Sequence, residues 1–243
     1  MTLAFALRGS DGLVLGSDSR ASGPEGSTDT STKFLQINRE IGVLTWGLAE
    51  VGYTGINNLF NVVNRPSDFG TKKRLVYLTE IIDAAGKIFK QTYDEYIEKQ
   101  KQTDKNFDEQ NPLLNTGFVL GGYDANETNQ FKIYSWQSQS QFEIVESPTD
   151  LIAAQWSISQ YLNMHLYYPE MNVEQLRRLA VFMLIETEKI SSTVGGQLQI
   201  ATVTLDRGFQ RVSEKEISDI IHENQPLFAK FRKILLENFR KNG

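Results

Sequence analysis

Cysteine is absent from the 243 residues, histidine occurs twice, and the formal net charge is only −5. Without cysteine there is no disulfide framework, no thiolate metal site and no thiol nucleophile. His165 and His222 give a Ser-His-Asp relay or a multi-histidine metal centre almost nothing to work with. A mildly acidic chain argues against nucleic acid as the main partner, because phosphate binding calls for a basic face. No apolar run approaches the ~18 residues of a membrane span. The first residues also lack the charged-then-apolar order of a leader segment. The expectations are therefore no cofactor, no metal, no nucleic-acid or membrane partner, and a cytoplasmic location.

What is present suits a soluble domain with a sizeable core, at 40% hydrophobic and 23% charged residues. The organising stretch is the first, MTLAFALRGSDGLVLGSDSRAS. Apolar runs at 3–7 and 13–15 are joined by Gly9-Ser10-Asp11-Gly12, and an Asp-Gly step between such runs signals a hairpin. Its first strand starts beside Met1, and its second ends at Asp18 and Arg20.

Residues 23–32 are rich in Gly, Ser and Thr and read as a surface loop. Short strands are expected at 33–37 and 41–45, giving two hairpins side by side. A helical period then runs over Ala49–Asn64, and a longer one over 72–100 that ends before Pro112. Strands are expected at 116–123, 131–136 and 141–145, the first two joined by a turn at 124–129. Helices follow, one starting near Thr149 and covering 151–164, and one over Val173–Ile190 capped by Asn172. After Gly195-Gly196 come strands at 198–205 and 209–212. The capping pattern Ser213–Glu216 then opens a last helical region carrying Phe228, Phe231, Ile234, Leu235 and Phe239. Strands in blocks with helices in pairs between them predict an α+β fold. Its form is a four-layer αββα sandwich of two antiparallel sheets between helical layers, one domain over 1–243.

Three features together are more specific than any one. LAFALRGSDGLVLGSDSRASG, the lysine of STKFLQI and the glycine of LTWGLAEVG resemble the proteasome subunit family, within the N-terminal nucleophile hydrolases. The match is densest over the first 55 or so residues and continues as order of elements, including the GGYD turn. The resemblance implies a mature N-terminal threonine whose own α-amine accepts the hydroxyl proton. It carries Thr2 over as nucleophile after loss of Met1, Asp18, Arg20 and Lys33 as its support, and Gly47 as the oxyanion site.

These residue types fit that chemistry. A threonine hydroxyl needs a base, and a free α-amine has a pKa of about 7.7–8.0. An ammonium at Lys33 would ease deprotonation of amine and hydroxyl, and Asp18 would hold it charged and oriented. A backbone N–H at Gly47 would stabilise an oxyanion.

The sequence departs from the family's pattern late in the chain. Active members carry an aspartate and a serine before the glycine pair, where Ser191 and Val194 stand here. Glu188, Ser191, Ser192 and Thr193 are the local candidates for substitute support. A Gly-Ser-Gly-type turn is also replaced by Glu146–Asp150, where Ser147 or Thr149 could fill part of the role.

Two functional readings stay open. One is a threonine-type peptidase acting on peptides or unfolded chains inside a homo-oligomeric ring, with a regulatory or unfoldase partner. The other is a catalytically silent, structural subunit of a similar ring. On the second, Thr2 simply begins an edge strand, Asp18 and Arg20 form a structural pair, and Lys33 is a solvated lysine at a strand edge. Silent members of the family carry an N-terminal extension, and the absence of one here favours the catalytic type.

Overall fold

In the computed structural model, residues 2–23, 26–66, 75–124, 130–153 and 157–241 are described. Met1, the expected helical start at 72 and the turn residues 125–129 lie outside them, as do the side chains of Phe231, Ile234, Leu235 and Phe239.

The opening hairpin forms as the Asp-Gly step predicts. Strand β1 (Ala4–Arg8) pairs antiparallel with β2 (Gly12–Asp18), with Ala4 opposite Ser17 and Arg8 opposite Leu13. The expected surface loop contains a small ribbon, β3 (Ala21–Gly23) with β4 (Gly26–Thr28). Strands β5 (Phe34–Gln36) and β6 (Ile41–Trp46) make the second hairpin. The two hairpins do not lie side by side. The first belongs to one sheet and the second to the other, so they face each other. Both faces of the first hairpin are then covered, which is why Ala4–Leu7 and Leu13–Leu15 are unbroken apolar runs.

Helix α1 (Ala49–Asn64) has the expected bounds, and at the N-terminus of α2 (Leu78–Thr103) the Glu80 carboxylate accepts Tyr77 N–H at 3.4 Å. Next come β7 (Gly117–Tyr123), β8 (Phe131–Gln137), β9 (Val145–Ser147) and β10 (Asp150–Ala153). Two expectations are corrected here. Residues 138–140 form a short 3-10 turn, and the strand expected at 141–145 begins only at Val145. The helix expected from Thr149 is instead β10 followed by α3 (Ser157–Leu166). The Leu151-Ile152-Ala153 triplet suits either period, and pairing with β1 decides it, Leu7 lying opposite Asp150 and Ala4 opposite Ala153.

Helix α4 (Val173–Ile190) starts at an Asn172–Gln175 capping box, so its bounds match the sequence reading. Strands β11 (Leu198–Thr204) and β12 (Gly208–Arg211) and helix α5 (Glu214–Lys241) complete the chain.

The sheets have orders β10-β1-β2-β11-β12 and β5-β6-β7-β8-β9. Alternation along the strands sorts the core into three layers. Ala4, Ala6, Leu13 and Leu15 meet Leu44, Val119 and Ile133 between the sheets. Leu3, Phe5, Leu7 and Val14 face outward onto α4 residues such as Leu176 and Phe182, with Phe228 of α5 stacked on Phe182. On the opposite side Val43, Phe118 and Trp136 face α1 and α2, where Phe89 stacks on Phe118 at a centroid distance of 3.7 Å. The result is the four-layer αββα arrangement, an α+β fold with antiparallel sheets. Among the described residues, no helix is long and apolar enough to cross a membrane.

Candidate active site

The hairpin register brings Thr2 and Asp18 together at one end of the first sheet. Leu3 N–H donates to Asp18 Oδ1 at 3.0 Å, and Asp18 N–H donates to Leu3 O at 3.3 Å. The second sheet supplies Lys33, just ahead of β5, and Gly47, just beyond β6. Thr45 N–H donates to Lys33 O at 2.9 Å and holds these two segments in step. The site therefore lies where the ends of the two hairpins meet across the sandwich.

Lys33 joins the halves. Its Nζ donates to Thr2 Oγ1 at 2.8 Å, to Asp18 Oδ1 at 3.0 Å and to the Arg20 carbonyl. An ammonium has three hydrogens, and all three are used. Burial pushes the Lys33 pKa below its ordinary value, with the Asp18 carboxylate acting against that shift. Thr2 is 5% exposed, Lys33 6% and Asp18 fully buried, so these groups act on one another with little solvent screening.

Asp18 accepts four hydrogen bonds. Besides Leu3 N–H and Lys33, its Oδ2 takes Arg20 N–H at 3.2 Å and Gly195 N–H at 3.1 Å. A carboxylate so surrounded is fixed in orientation, as a lysine-holding role needs. Among the described residues, the Arg20 guanidinium makes no hydrogen bond to Thr2. It pairs with Asp29, Nε to Oδ1 at 2.7 Å and Nη2 to Oδ2 at 3.0 Å, and Nη1 donates to the Ser192 and Val194 carbonyls at 3.0 and 3.2 Å. Its hydrogen bonds to Asp29 and the attraction of that carboxylate, working against desolvation, raise the Arg20 pKa, and the same pairing lowers that of Asp29.

Gly47 has φ of +89°, and a Cβ there would lie 2.1 Å from Asn115 O and 2.6 Å from Thr116 Cα. Only glycine fits. Among the described residues, no hydrogen bond takes its N–H.

Thr2, Lys33 and Gly47 line one pocket of about 360 Å³, together with Trp46, Ala49 and Tyr53. A cleft of similar size, about 390 Å³, lies on the far end of α2 beside Tyr93, Lys101 and Glu109, remote from Thr2 and Lys33.

The late-chain candidates behave differently from the core set. Ser191 Oγ and Thr193 Oγ1 lie 3.0 Å apart and bond each other, and Ser192 contributes its carbonyl to Arg20. None of the three hydrogen bonds to Thr2 among the described residues. Ser147 and Thr149 bond within their own turn, to Asp150. Two residues of the site carry no signal in the sequence. Asp29 sits in a segment that reads as solvated loop. Gln199 of β11 accepts Lys33 N–H at 3.0 Å and donates to Ser31 O at 2.6 Å, and an alternating strand position gives no hint of this.

No family model and no curated protein sequence matches the chain. Solved structures do. The chain has the fold of the Anbu proteins. An Anbu complex from Pseudomonas aeruginosa, described as a helical assembly, aligns over 97% of this chain and 96% of its own with a TM-score of 0.77 and 18% identity. Anbu from Yersinia bercovieri, described as an ancestral beta-subunit, aligns over 98% and 95% with a TM-score of 0.68 and 18% identity. An Anbu mutant from Hyphomicrobium sp. strain MC1 aligns over 99% and 97% with a TM-score of 0.69 and 14% identity. At such identity the likeness establishes a proteasome-like fold over the whole alignment. It carries no activity with it.

Proposed function

We propose that this chain is a proteasome-like N-terminal threonine hydrolase, a single domain that cleaves peptides or unfolded chains in the cytoplasm. The observation that carries the reading is the contact of Lys33 Nζ with both Thr2 Oγ1 and Asp18 Oδ1 at the wall of a pocket. Removal of Met1 would free the Thr2 α-amine. Because Lys33 donates to Oγ1, the hydroxyl proton is free to point to another acceptor, and the amine is the acceptor on the same residue. The amine takes that proton as Oγ1 attacks the substrate carbonyl, while the neighbouring ammonium favours negative charge on Oγ1. The tetrahedral oxyanion is stabilised by the Gly47 N–H. Collapse expels the leaving amine, which takes the proton from the Thr2 ammonium and leaves an ester on Oγ1. The Thr2 α-amine then takes a proton from a water that adds to the ester, and returns it to Oγ1 as Oγ1 leaves the acid product, which restores the threonine.

Assembly belongs to the same reading. The Pseudomonas aeruginosa neighbour is described as a helical assembly of a complex. We take copies of this chain to associate likewise, in a closed ring or an open helix, with a regulatory or unfoldase partner as the source of unfolded chains. Electron microscopy of purified protein distinguishes ring from helix.

A catalytically silent subunit is the second reading, favoured by one observation: Ser191 and Thr193 bond each other and, among the described residues, make no hydrogen bond to Thr2. Intact mass and peptide hydrolysis separate the two. Protein lacking Met1, with hydrolysis abolished in Thr2→Ala, supports the enzyme. Retained Met1, or hydrolysis unchanged in Thr2→Ala, supports the silent subunit.

A further inference from the structure

Asp29 lies in a Gly-, Ser- and Thr-rich segment with its side chain 49% exposed, where a carboxylate would ordinarily be solvated. Instead it grips the Arg20 guanidinium with both oxygens. Its backbone carbonyl accepts from Ser19 Oγ, which in turn accepts Gln197 N–H at 2.7 Å. Arg20, so gripped, holds the Ser192 and Val194 carbonyls. The glycine turn is shaped to this arrangement. A Cβ on Gly195 would lie 2.6 Å from Arg20 Cζ, and one on Gly196 would lie 2.4 Å from Ser19 Oγ and 2.8 Å from Asp29 O. The same turn delivers Gly195 N–H to Asp18 Oδ2, and Arg20 O accepts from Lys33 Nζ.

We propose that Asp29 is a positioning residue for the Thr2 centre, orienting Arg20 as a cross-link between the end of β2, the 29–33 segment and the 191–196 turn. The proposal rests on the threonine-hydrolase reading. With serine at 191 where an acid was expected, the turn is tied to Asp18 directly by Gly195 N–H and also through Arg20, and the Arg20 guanidinium is aimed by Asp29. An exposed ion pair contributes little to stability by itself. A bidentate fork does fix direction. Of the two acceptors that hold the Lys33 ammonium beside Thr2, Arg20 O belongs to the cross-linking residue itself, and Asp18 accepts Arg20 N–H and Gly195 N–H. The Asp29 charge also offsets that of Arg20 near Lys33, and removing it leaves the centre more positive.

The test is the rate at which a peptide β-lactone acylates Thr2, followed against pH in the full chain and in Asp29→Ala, Asp29→Asn and Asp29→Glu. Asp29→Ala is expected to slow acylation between about 10- and 100-fold with little change in probe affinity, the scale of a small misplacement. Asp29→Glu should recover most of the rate. Asp29→Asn, nearly isosteric, should move the acidic limb to lower pH, because an uncompensated Arg20 disfavours the protonated amine. Unmodified protein that reacts at Thr2, with variants of the same rate and pH profile, overturns the positioning role alone. A slower rate with no shift in Asp29→Asn and no recovery in Asp29→Glu marks a merely structural pair and overturns it too. If the unmodified protein does not react at Thr2, the threonine-hydrolase reading fails, and this inference with it.

Discussion

Lys33 Nζ stands 2.8 Å from Thr2 Oγ1 and 3.0 Å from Asp18 Oδ1. One buried ammonium thus links the start of the first hairpin to its end, across the gap between two sheets.

Removing that ammonium leaves Asp18 buried with an uncompensated charge. Lys33→Met is expected to lower stability by about 3–5 kcal/mol, the usual cost of breaking a buried pair from one side. Adding Asp18→Asn should return part of the loss, because the neutral amide no longer needs a cation. Urea unfolding of the single and double variants checks this, and a double variant no more stable than Lys33→Met would contradict it.

Stability should depend on pH through the same lysine. Its folded-state pKa is lowered from an ordinary value of 10.5, first by burial and against the pull of Asp18. Between the lowered value and 10.5, the unfolded chain binds more protons than the folded one. Stability therefore rises with pH through that window and levels off above it. The difference in urea midpoint between unmodified protein and Lys33→Met, followed from neutral pH upward, should grow in favour of the unmodified protein. A flat or falling difference would speak against it.

Gly47→Ala sets a Cβ against Asn115 O at a backbone φ of +89°. The strain is expected to cost about 1–3 kcal/mol. Moving the N–H should lower hydrolysis by about 10²-fold or more. Thermal melts and kcat measured together test this, and an unchanged melt with full activity would remove Gly47 from the site.

The pocket beside Thr2 is lined by Trp46, Leu48, Ala49 and Tyr53, and its two cations, Arg20 and Lys33, are already paired. Reporter peptides with Leu or Phe before the scissile bond should be cleaved at least about tenfold better, in kcat/KM, than those with Arg. Ala49→Phe, which narrows the pocket, should turn the preference toward smaller side chains. Equal cleavage of Leu and Arg reporters would place the substrate side chain elsewhere.

Local chemistry marks the parts of this fold that the sequence makes legible. Asp11-Gly12 announces the first hairpin, and Asn172 with Gln175 fixes the start of α4 to the residue. Where two periods fit equally, tertiary pairing decides, as at Asp150–Ala153, which becomes a strand because β1 offers it an edge. The spacing of Thr2, Asp18, Lys33 and Gly47 brings the site together only once the hairpins stack, and that stacking is not written in any one segment. Asp29 is not legible because nothing in a Gly-, Ser- and Thr-rich segment signals that the Arg20 side chain turns to it.

The most direct test uses a peptide epoxyketone, whose two electrophilic carbons can take up a hydroxyl and an adjacent amine. After incubation with the purified full chain, the adduct is mapped by peptide mass. The expected result is a chain lacking Met1 with a doubly bonded adduct confined to Thr2, formed in unmodified protein and absent in Lys33→Met. A chain that keeps Met1, with Thr2 unmodified, would contradict the proposed mechanism.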